Sequence, residues 1–212
     1  MATSGYKEGS KGAVVKQIQK VVGCYPDGVW GKVTTECVKA WQREHGLTAD
    51  GIVGPRTLAA MGIAAVRKSK RRIDEIIIHC TATPEGQPRT VEQIRQDHIR
   101  NRGFADIGYH YIIYLDGTVH EGRNIDIAGA HATNHNAHSI GVVYVGGVEN
   151  DPKKAYKDLK PKDTRTEEQK ASLLSLLMDL RKLYPTARII GHRDVSSKAC
   201  PSFDAKAEYR KI

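Results

Sequence analysis

The stretch Ile73-Asp74-Glu75-Ile76-Ile77-Ile78-His79-Cys80 has the apolar composition of a buried β-strand, and it ends in a histidine and a cysteine. Side chains alternate between the two faces of a strand, so His79 shares a face with Ile77, whereas Cys80 points to the other face. A histidine at the end of a buried strand is well placed to reach a site at the rim of a sheet. The alternation therefore predicts a site residue at His79 and a core residue at Cys80.

A second apolar run, residues 187–190, leads into a polar loop that carries His192, Lys198 and Cys200. Imidazole and thiolate are good zinc ligands, and a loop after a rigid strand is a common place for a site. Because His79, His192 and Cys200 each lie at or just past the end of an apolar strand, they can converge on one rim of the sheet. Three protein ligands leave the fourth zinc position to water, which is the arrangement of catalytic sites.

Two further side chains are candidates for catalysis. In an extended loop, Lys198 projects to the same side as Cys200, so its ammonium would favour the thiolate or stabilise an oxyanion formed when water adds to an amide. Tyr109 begins a predicted hairpin strand, and its hydroxyl would orient water or hold developing charge. Each residue also has a structural interpretation, and spacing alone does not choose between the two. The other histidines of this region are interpreted as structural or solvent-facing: His98, His110, His120, His135 and His138.

The pattern of residues 73–212 indicates an α/β domain with a mixed central sheet flanked by helices. Capping boxes mark two helix starts, and Asp-Gly between two alternating runs marks a hairpin. The predicted elements are helices at 90–101 and 166–184, a hairpin around Asp116-Gly117, a strand at 139–145 and an exposed loop at 150–165.

The N-terminal region carries an internal repeat: Asp27-Gly28-Val29-Trp30-Gly31-Lys32-Val33-Thr34 recurs as Asp50-Gly51-Ile52-Val53-Gly54-Pro55-Arg56-Thr57. Each copy predicts a tight turn that opens a helix, and another helix precedes them. A small all-α three-helix module is therefore expected at 1–62, with its core at 8–62, followed by a linker at 63–72. The residues expected to face its core are Val14, Ile18, Val21, Val22, Val33, Cys37, Val38, Trp41, Leu58 and Met61.

Net charge, apolar segments and cysteine content limit the classes of function that the chain can have. The 212-residue chain has a formal net charge of +9, but its basic residues are dispersed, which argues against nucleic-acid binding and leaves another anionic polymer as a partner. Neither an apolar leader nor a membrane-spanning run is recognisable, so we expect synthesis in the cytoplasm and no membrane insertion. The four cysteines are then expected to be thiols or metal ligands, with Cys24 and Cys37 packing helices, although their pairing stays open.

Residues 8–62 resemble the peptidoglycan-binding module often attached to cell-wall hydrolases. The matching residues are Val15, Ile18-Gln19, Asp27-Gly28, Gly31, Trp41-Gln42, Gly46-Leu47 and residues 50–57. The resemblance implies that the module holds an enzyme on its insoluble substrate and raises the effective concentration. It leaves open which wall component is bound.

Residues 73–203 resemble the zinc N-acetylmuramoyl-L-alanine amidases of the phage-lysozyme type, which share their fold with the animal peptidoglycan recognition proteins. The matching pieces are residues 78–83, 107–111, 116–119, 122–123, 129–132, 139–142 and 198–203. The resemblance implies one zinc ion per chain and names the site residues. These are His79, His192 and Cys200 for zinc, Tyr109 and Lys198 for catalysis, and His131 and Asn136 for the substrate groove.

The activity implied is hydrolysis of the amide between N-acetylmuramic acid and the L-alanine of the stem peptide in bacterial peptidoglycan. Lys198 would stabilise the oxyanion with zinc, and Tyr109 would assist proton transfer. We expect a monomeric phage or prophage endolysin that is released to the wall by a separate membrane-disrupting protein. The alternatives are a cell-wall peptidase, or a peptidoglycan-binding or regulatory protein with little hydrolysis.

Overall fold

The computed structural model describes residues 5–212, which fall into two compact units, the first ending at Arg67 and the second beginning at Lys68. The segment expected to be a linker contributes to both of them. Ile63 is buried in the core of the first unit. Ser69 and Arg71 both donate hydrogen bonds to the carbonyl oxygen of Ile125 in the second unit. These positions are therefore parts of the folded units and not an exposed connection.

The first unit is the predicted all-α module. It has three helices, α1 (Ala13–Val21), α2 (Lys32–Glu44) and α3 (Pro55–Ala60). Two valines expected in its core are exposed: Val33 by 75% and Val21 by 40%. Val33 is the second residue of α2 and its side chain faces solvent. Helical periodicity assigned it to the buried face because the pattern does not show where the first turn begins to pack. The core contains Val14, Val15, Ile18, Trp30, Val38, Val53, Leu58 and Ile63.

Two buried glutamines organise the repeated turns of this unit. The side-chain oxygen of Gln19 accepts the N–H of Gly28, and its amide donates to the Asp27 carboxylate at 2.8 Å. Gln42 repeats this at the second turn, where it accepts the N–H of Gly51 and donates to the carbonyl oxygen of Ile52 at 3.0 Å. Each glutamine therefore satisfies backbone groups that a tight turn would leave unpaired. The two copies of the sequence repeat therefore form the same hydrogen bond between a buried glutamine and the glycine of the turn.

Cys24 and Cys37 form a disulfide bond, with their Cα atoms 6.4 Å apart. The expectation that they are thiols that pack helices is therefore wrong. The first turn of the repeat folds back after α1 and brings Cys24 beside α2, within the Cα separation that a disulfide spans. Cys80 and Cys200 are free thiols.

The strands of the second unit are β1 Glu75–Cys80, β2 Thr83–Pro84, β3 Tyr111–Ile113, β4 Val119–Glu121, β5 Ser139–Tyr144, β6 Gly147–Val148 and β7 Arg188–Gly191. Five of them form a mixed sheet in the order β4-β3-β5-β1-β7. The central strand β1 lies between β5 and β7 and is parallel to both, whereas β3 and β4 form the predicted antiparallel hairpin. Short strands β2 and β6 pair separately.

Helices α4 (Val91–Arg102), α5 (Glu167–Leu183) and α6 (Ala205–Glu208) complete this unit. Both predicted capping boxes are present, with Thr90 capping α4 and Thr166 capping α5. The Gln169 amide at the start of α5 also donates to the carbonyl oxygens of Ile113 and Val145, so it ties α5 to the sheet. Among the described residues, no helix combines the length and apolarity that crossing a membrane requires.

The buried glutamines of the first unit give a stability test. Gln42→Leu keeps the approximate size of the side chain but leaves the Gly51 N–H and the Ile52 carbonyl without a partner. We expect the module to lose about 1–3 kcal/mol of unfolding free energy. Both tryptophans of the chain, Trp30 and Trp41, lie in this unit, so denaturation followed by tryptophan fluorescence reports on it alone.

The matched control is Glu44→Leu, an exposed position two residues further along α2. It should leave the fluorescence transition within about 0.5 kcal/mol of the wild-type value. Equal transitions for Gln42→Leu and the control would contradict the structural role of the glutamine.

Candidate active site

Parallel pairing of β1 with β7 brings two of the predicted ligands together. Ile78 is the register partner of Gly191, so the next residue of each chain segment, His79 and His192, leave the sheet side by side. Their ring centroids are 4.6 Å apart. His79 still belongs to β1, whereas His192 begins a 3₁₀ turn directly after β7. Both histidines therefore lie at the C-terminal edge of the central strands.

Cys200 reaches this edge from the loop that follows His192. Its Sγ lies 3.8 Å from Nδ1 of His79 and accepts a hydrogen bond from the backbone N–H of Cys80 at 3.2 Å. The candidate ligand atoms of His79, His192 and Cys200 all lie within 4.8 Å of one another. Cys80 is buried as predicted, but its backbone contact with Cys200 is a contribution that side-chain alternation does not reveal.

Buried polar side chains contact the residues that follow Cys200 and fix the loop that carries it. The Tyr144 hydroxyl of β5 donates to the carbonyl oxygen of Pro201 at 2.7 Å. The Arg165 guanidinium lies 3.3 Å from the centre of the Phe203 ring and pairs with the Asp163 and Glu208 carboxylates at 2.8 Å. Arg165 is buried, so the prediction of an exposed loop at 150–165 is wrong at its end. The charged composition of that segment does not reveal the burial of Arg165, because Phe203 and Glu208 lie far away in the sequence.

Burial sets the protonation of the three candidate ligands. Desolvation lowers the pKa of His79 well below its usual value, and the neighbouring His131 and His192 lower it further. Desolvation, followed by the charge of Lys198, also lowers the pKa of His192. Contact with the Cys80 thiol and burial raise the pKa of the Cys200 thiol. The two imidazoles are therefore neutral at pH 7, the state in which histidine binds metals, while a metal would have to displace the thiol proton.

Tyr109 and Lys198 flank this cluster. The Tyr109 ring lies just before β3, with its centroid 5.1 Å from that of His79. Burial raises the pKa of Tyr109 well above its usual value, and the nearby Cys200 adds to the shift. Its hydroxyl therefore stays protonated at neutral pH and can donate a hydrogen bond. Lys198 is exposed and lines a cleft with Arg193 and Ser196 beside the cysteine loop.

His131 and Asn136 make contacts within the protein. Nδ1 of His131 shares a hydrogen bond with Nε2 of His79 at 3.0 Å. The side-chain oxygen of Asn136 accepts the backbone N–H groups of His131 and Ala132 at 2.8 and 2.9 Å. Asn136 thus shapes the loop that presents His131, and His131 orients a candidate ligand. Nothing in the spacing of the sequence indicates this contact, because it joins a loop to a strand 52 residues away.

The remaining histidines differ in their surroundings. His98 accepts the backbone N–H of Gly108, and His110 accepts that of Gly141, so both have the structural role that was predicted. His120 hydrogen-bonds Thr118 in the hairpin. His135 and His138 were given the same interpretation, but both face the carboxylate of Glu75.

Comparison with known proteins decides the family. Residues 69–203 match the family model of N-acetylmuramoyl-L-alanine amidases, and residues 11–61 match that of a peptidoglycan binding domain. The chain belongs to the N-acetylmuramoyl-L-alanine amidase family. It is a peptidoglycan hydrolase with an N-terminal peptidoglycan binding domain, which confirms the predicted fold and enzyme class.

Similar proteins include phage and animal members of this group. The endolysin of Klebsiella phage KP32 is 40% identical over 152 residues, which cover 70% of this chain and 94% of that protein. A peptidoglycan-recognition protein of Drosophila melanogaster is 32% identical over 64% of this chain and 72% of its own length. Among solved structures, the endolysin amidase LysCS of Clostridium intestinale aligns with a TM-score of 0.53 and 26% identity, covering 70% of this chain and 90% of its own.

The close packing around His131 in the amidase domain can be tested. A methyl group at Gly141 in β5 would lie 2.6 Å from Cδ2 of His131, and one at Gly129 would lie 2.3 Å from the same atom. The imidazole fills the slot between these glycines, so it cannot move aside for the methyl group of Gly141→Ala. We expect the variant to lose about 1–3 kcal/mol of unfolding free energy through overpacking. Far-UV circular dichroism during thermal unfolding measures this loss.

A double-mutant cycle provides the control. If the clash with the ring causes the loss, adding Gly141→Ala to a His131→Ala background should cost little, so the two substitutions are strongly non-additive. If Gly141→Ala lowers the unfolding free energy equally in the wild-type and His131→Ala backgrounds, contact with the His131 ring does not restrict position 141.

Proposed function

We propose that the chain is a zinc-dependent amidase in which His79, His192 and Cys200 hold one ion. The observation that carries this proposal is the approach of the three candidate ligand atoms to within 4.8 Å of one another. Two neutral imidazoles and a thiol form a donor set suited to zinc, and three ligands leave one position open for catalysis. When bound, zinc would lower the pKa of a bound water to about 7 and polarise the substrate carbonyl.

The substrate bond we assign is the amide between the lactyl group of N-acetylmuramic acid and L-alanine. As water adds to this amide, negative charge develops on the carbonyl oxygen. The protonated Tyr109 hydroxyl can donate a hydrogen bond to that oxygen or to the water, and the Lys198 ammonium supplies positive charge at the mouth of the site. Burial keeps Tyr109 neutral, so we assign it the role of a donor and not that of a base.

His131 is assigned a positioning role. His131 hydrogen-bonds Nε2 of His79, so Nδ1 of His79 is the nitrogen that faces Cys200 and would bind the metal. Partners that hydrogen-bond the second nitrogen of a ligating histidine fix its orientation and tautomer. The Cys80 amide does the same for the sulfur of Cys200. Substrate contact stays a prediction for both His131 and Asn136, which lie in the same loop.

We infer that the biological role is lysis of a bacterial wall, since relatives such as the Klebsiella phage KP32 protein are named endolysins. In this role the chain would act as a monomer on peptidoglycan, without inserting into a membrane, after it is released from the cytoplasm. The first unit would retain the enzyme on the insoluble wall and thereby raise the effective concentration of substrate bonds at the site.

Mass spectrometry of soluble products from purified sacculi tests the activity. We expect free stem peptides that begin with L-alanine, and we expect their release to stop after a chelator removes zinc and to return when zinc is added back. Products cut only inside the peptide would instead identify a peptidase. A Cys200→Ser variant that retains full zinc content and activity would rule out the proposed ligands.

Tyr109→Phe separates catalysis from metal binding. The ring and its contact with His79 remain, while the donor hydroxyl is lost, so we expect kcat to fall about 100-fold with unchanged zinc content. Tyr25→Phe is the control, because Tyr25 is 85% exposed. Should Tyr109→Phe retain wild-type kcat on sacculi, the hydroxyl would have no part in the chemical step.

A further inference from the structure

A second group of potential metal ligands lies outside the active site. Glu75, His135 and His138 bring their ligand atoms within 4.8 Å of one another. Glu75 is the first residue of β1, whereas His79 lies near its last, so the two groups are separated by about 13 Å of extended strand. The second group therefore lies towards the opposite edge of the sheet and shares no residue with the first.

The backbone holds this group in place. The two histidines lie three residues apart at the ends of a 3₁₀ turn, Asn136–His138, and positions i and i+3 of such a turn lie on the same side. The N–H of Asp74 donates to the carbonyl oxygen of His138 at 2.9 Å, and the N–H of Arg188 donates to that of Asp74 at 2.8 Å. The start of β1 is thus fixed between the 3₁₀ turn and β7, which preorganises the three side chains.

Both carboxylate oxygens of Glu75 have partners, and a cation would displace the proton that joins one of them to His135. Arg188 pairs with Oε1 of Glu75. Oε2 faces both imidazoles, at 2.7 Å from Nδ1 of His135 and 3.7 Å from Nε2 of His138. The histidine side chains are 25% and 36% exposed, which gives an ion and water access from solvent.

We propose that Glu75, His135 and His138 form a second binding site for a divalent transition-metal ion. Two imidazoles and one carboxylate are an established zinc donor set, and solvent can supply the fourth ligand. The guanidinium of Arg188, and that of Arg71 at the carbonyl oxygens of Asn136 and Ala137, add positive charge nearby. This site therefore binds more weakly than the thiolate site.

An ion here would act on the active site through the loop. His135 and His138 end the same segment that begins with His131, which bonds the ligand His79. A metal that joins the 3₁₀ turn to Glu75 would fix the far end of this segment on β1. Its occupancy should raise thermal stability and hold His131 in position, without entering the reaction itself.

Cobalt titration of tag-free protein, stripped of metal, tests the proposal. Thiolate ligation produces a sulfur-to-cobalt charge-transfer band, whereas a site with nitrogen and oxygen ligands contributes only d–d absorption. In the wild type we expect the charge-transfer band to saturate at one equivalent, and equilibrium dialysis to find a second, weaker equivalent. His138→Gln and His135→Gln should each lose the second equivalent and keep the full charge-transfer band.

His45→Gln, which changes an exposed histidine of the first unit, is the matched control and should retain both equivalents. Circular dichroism of each metal-free variant verifies folding. A single equivalent in the wild type, or two equivalents in both His138→Gln and His135→Gln, overturns the second site. Loss of the charge-transfer band alone would count against Cys200 as a ligand and hence against the proposed function, so the two failures are distinguishable.

Discussion

The parallel pairing of β1 with β5 and β7 is the constraint on which the amidase domain depends. Every residue of β1 is buried, so its register is strongly specified: a slip by one residue would exchange its two faces. The same register places His79 beside His192. The packing that stabilises the sheet therefore also fixes the distance between two candidate ligands. No loop has to be closed to bring them together.

Cys200 depends on a different kind of support. It lies in a loop, and loops are mobile unless other groups hold them. Here Tyr144 bonds the carbonyl of Pro201, while the Arg165 guanidinium covers Phe203. Arg165 in turn is neutralised by two carboxylates. Arg165 is buried, so losing both carboxylates would leave its charge unpaired inside the protein and would weaken the support of the loop.

Local patterns account for what the sequence could predict. Each capping box, at Thr90 and at Thr166, involves only four consecutive residues. The strand ends at His79 and His192 are predicted by the apolar runs that precede them. Two features that were missed depend on tertiary contacts: the Cys24–Cys37 bond and the burial of Arg165 beside Glu208. The charge and the cysteine content of a segment are properties of that segment alone. They cannot report a partner that only the folded chain supplies.

The loop before β5 contacts β1 at both ends. His131 at its start bonds His79 near the C-terminal end of β1, and His135 at its other end bonds Glu75 at the N-terminal end. Asn136, the residue after His135, closes the loop by accepting the N–H groups of His131 and Ala132. A segment tied to one buried strand at two points has little freedom to move at either. The orientation of His79 is therefore a property of the whole loop, and it depends on contacts formed at the opposite edge of the sheet.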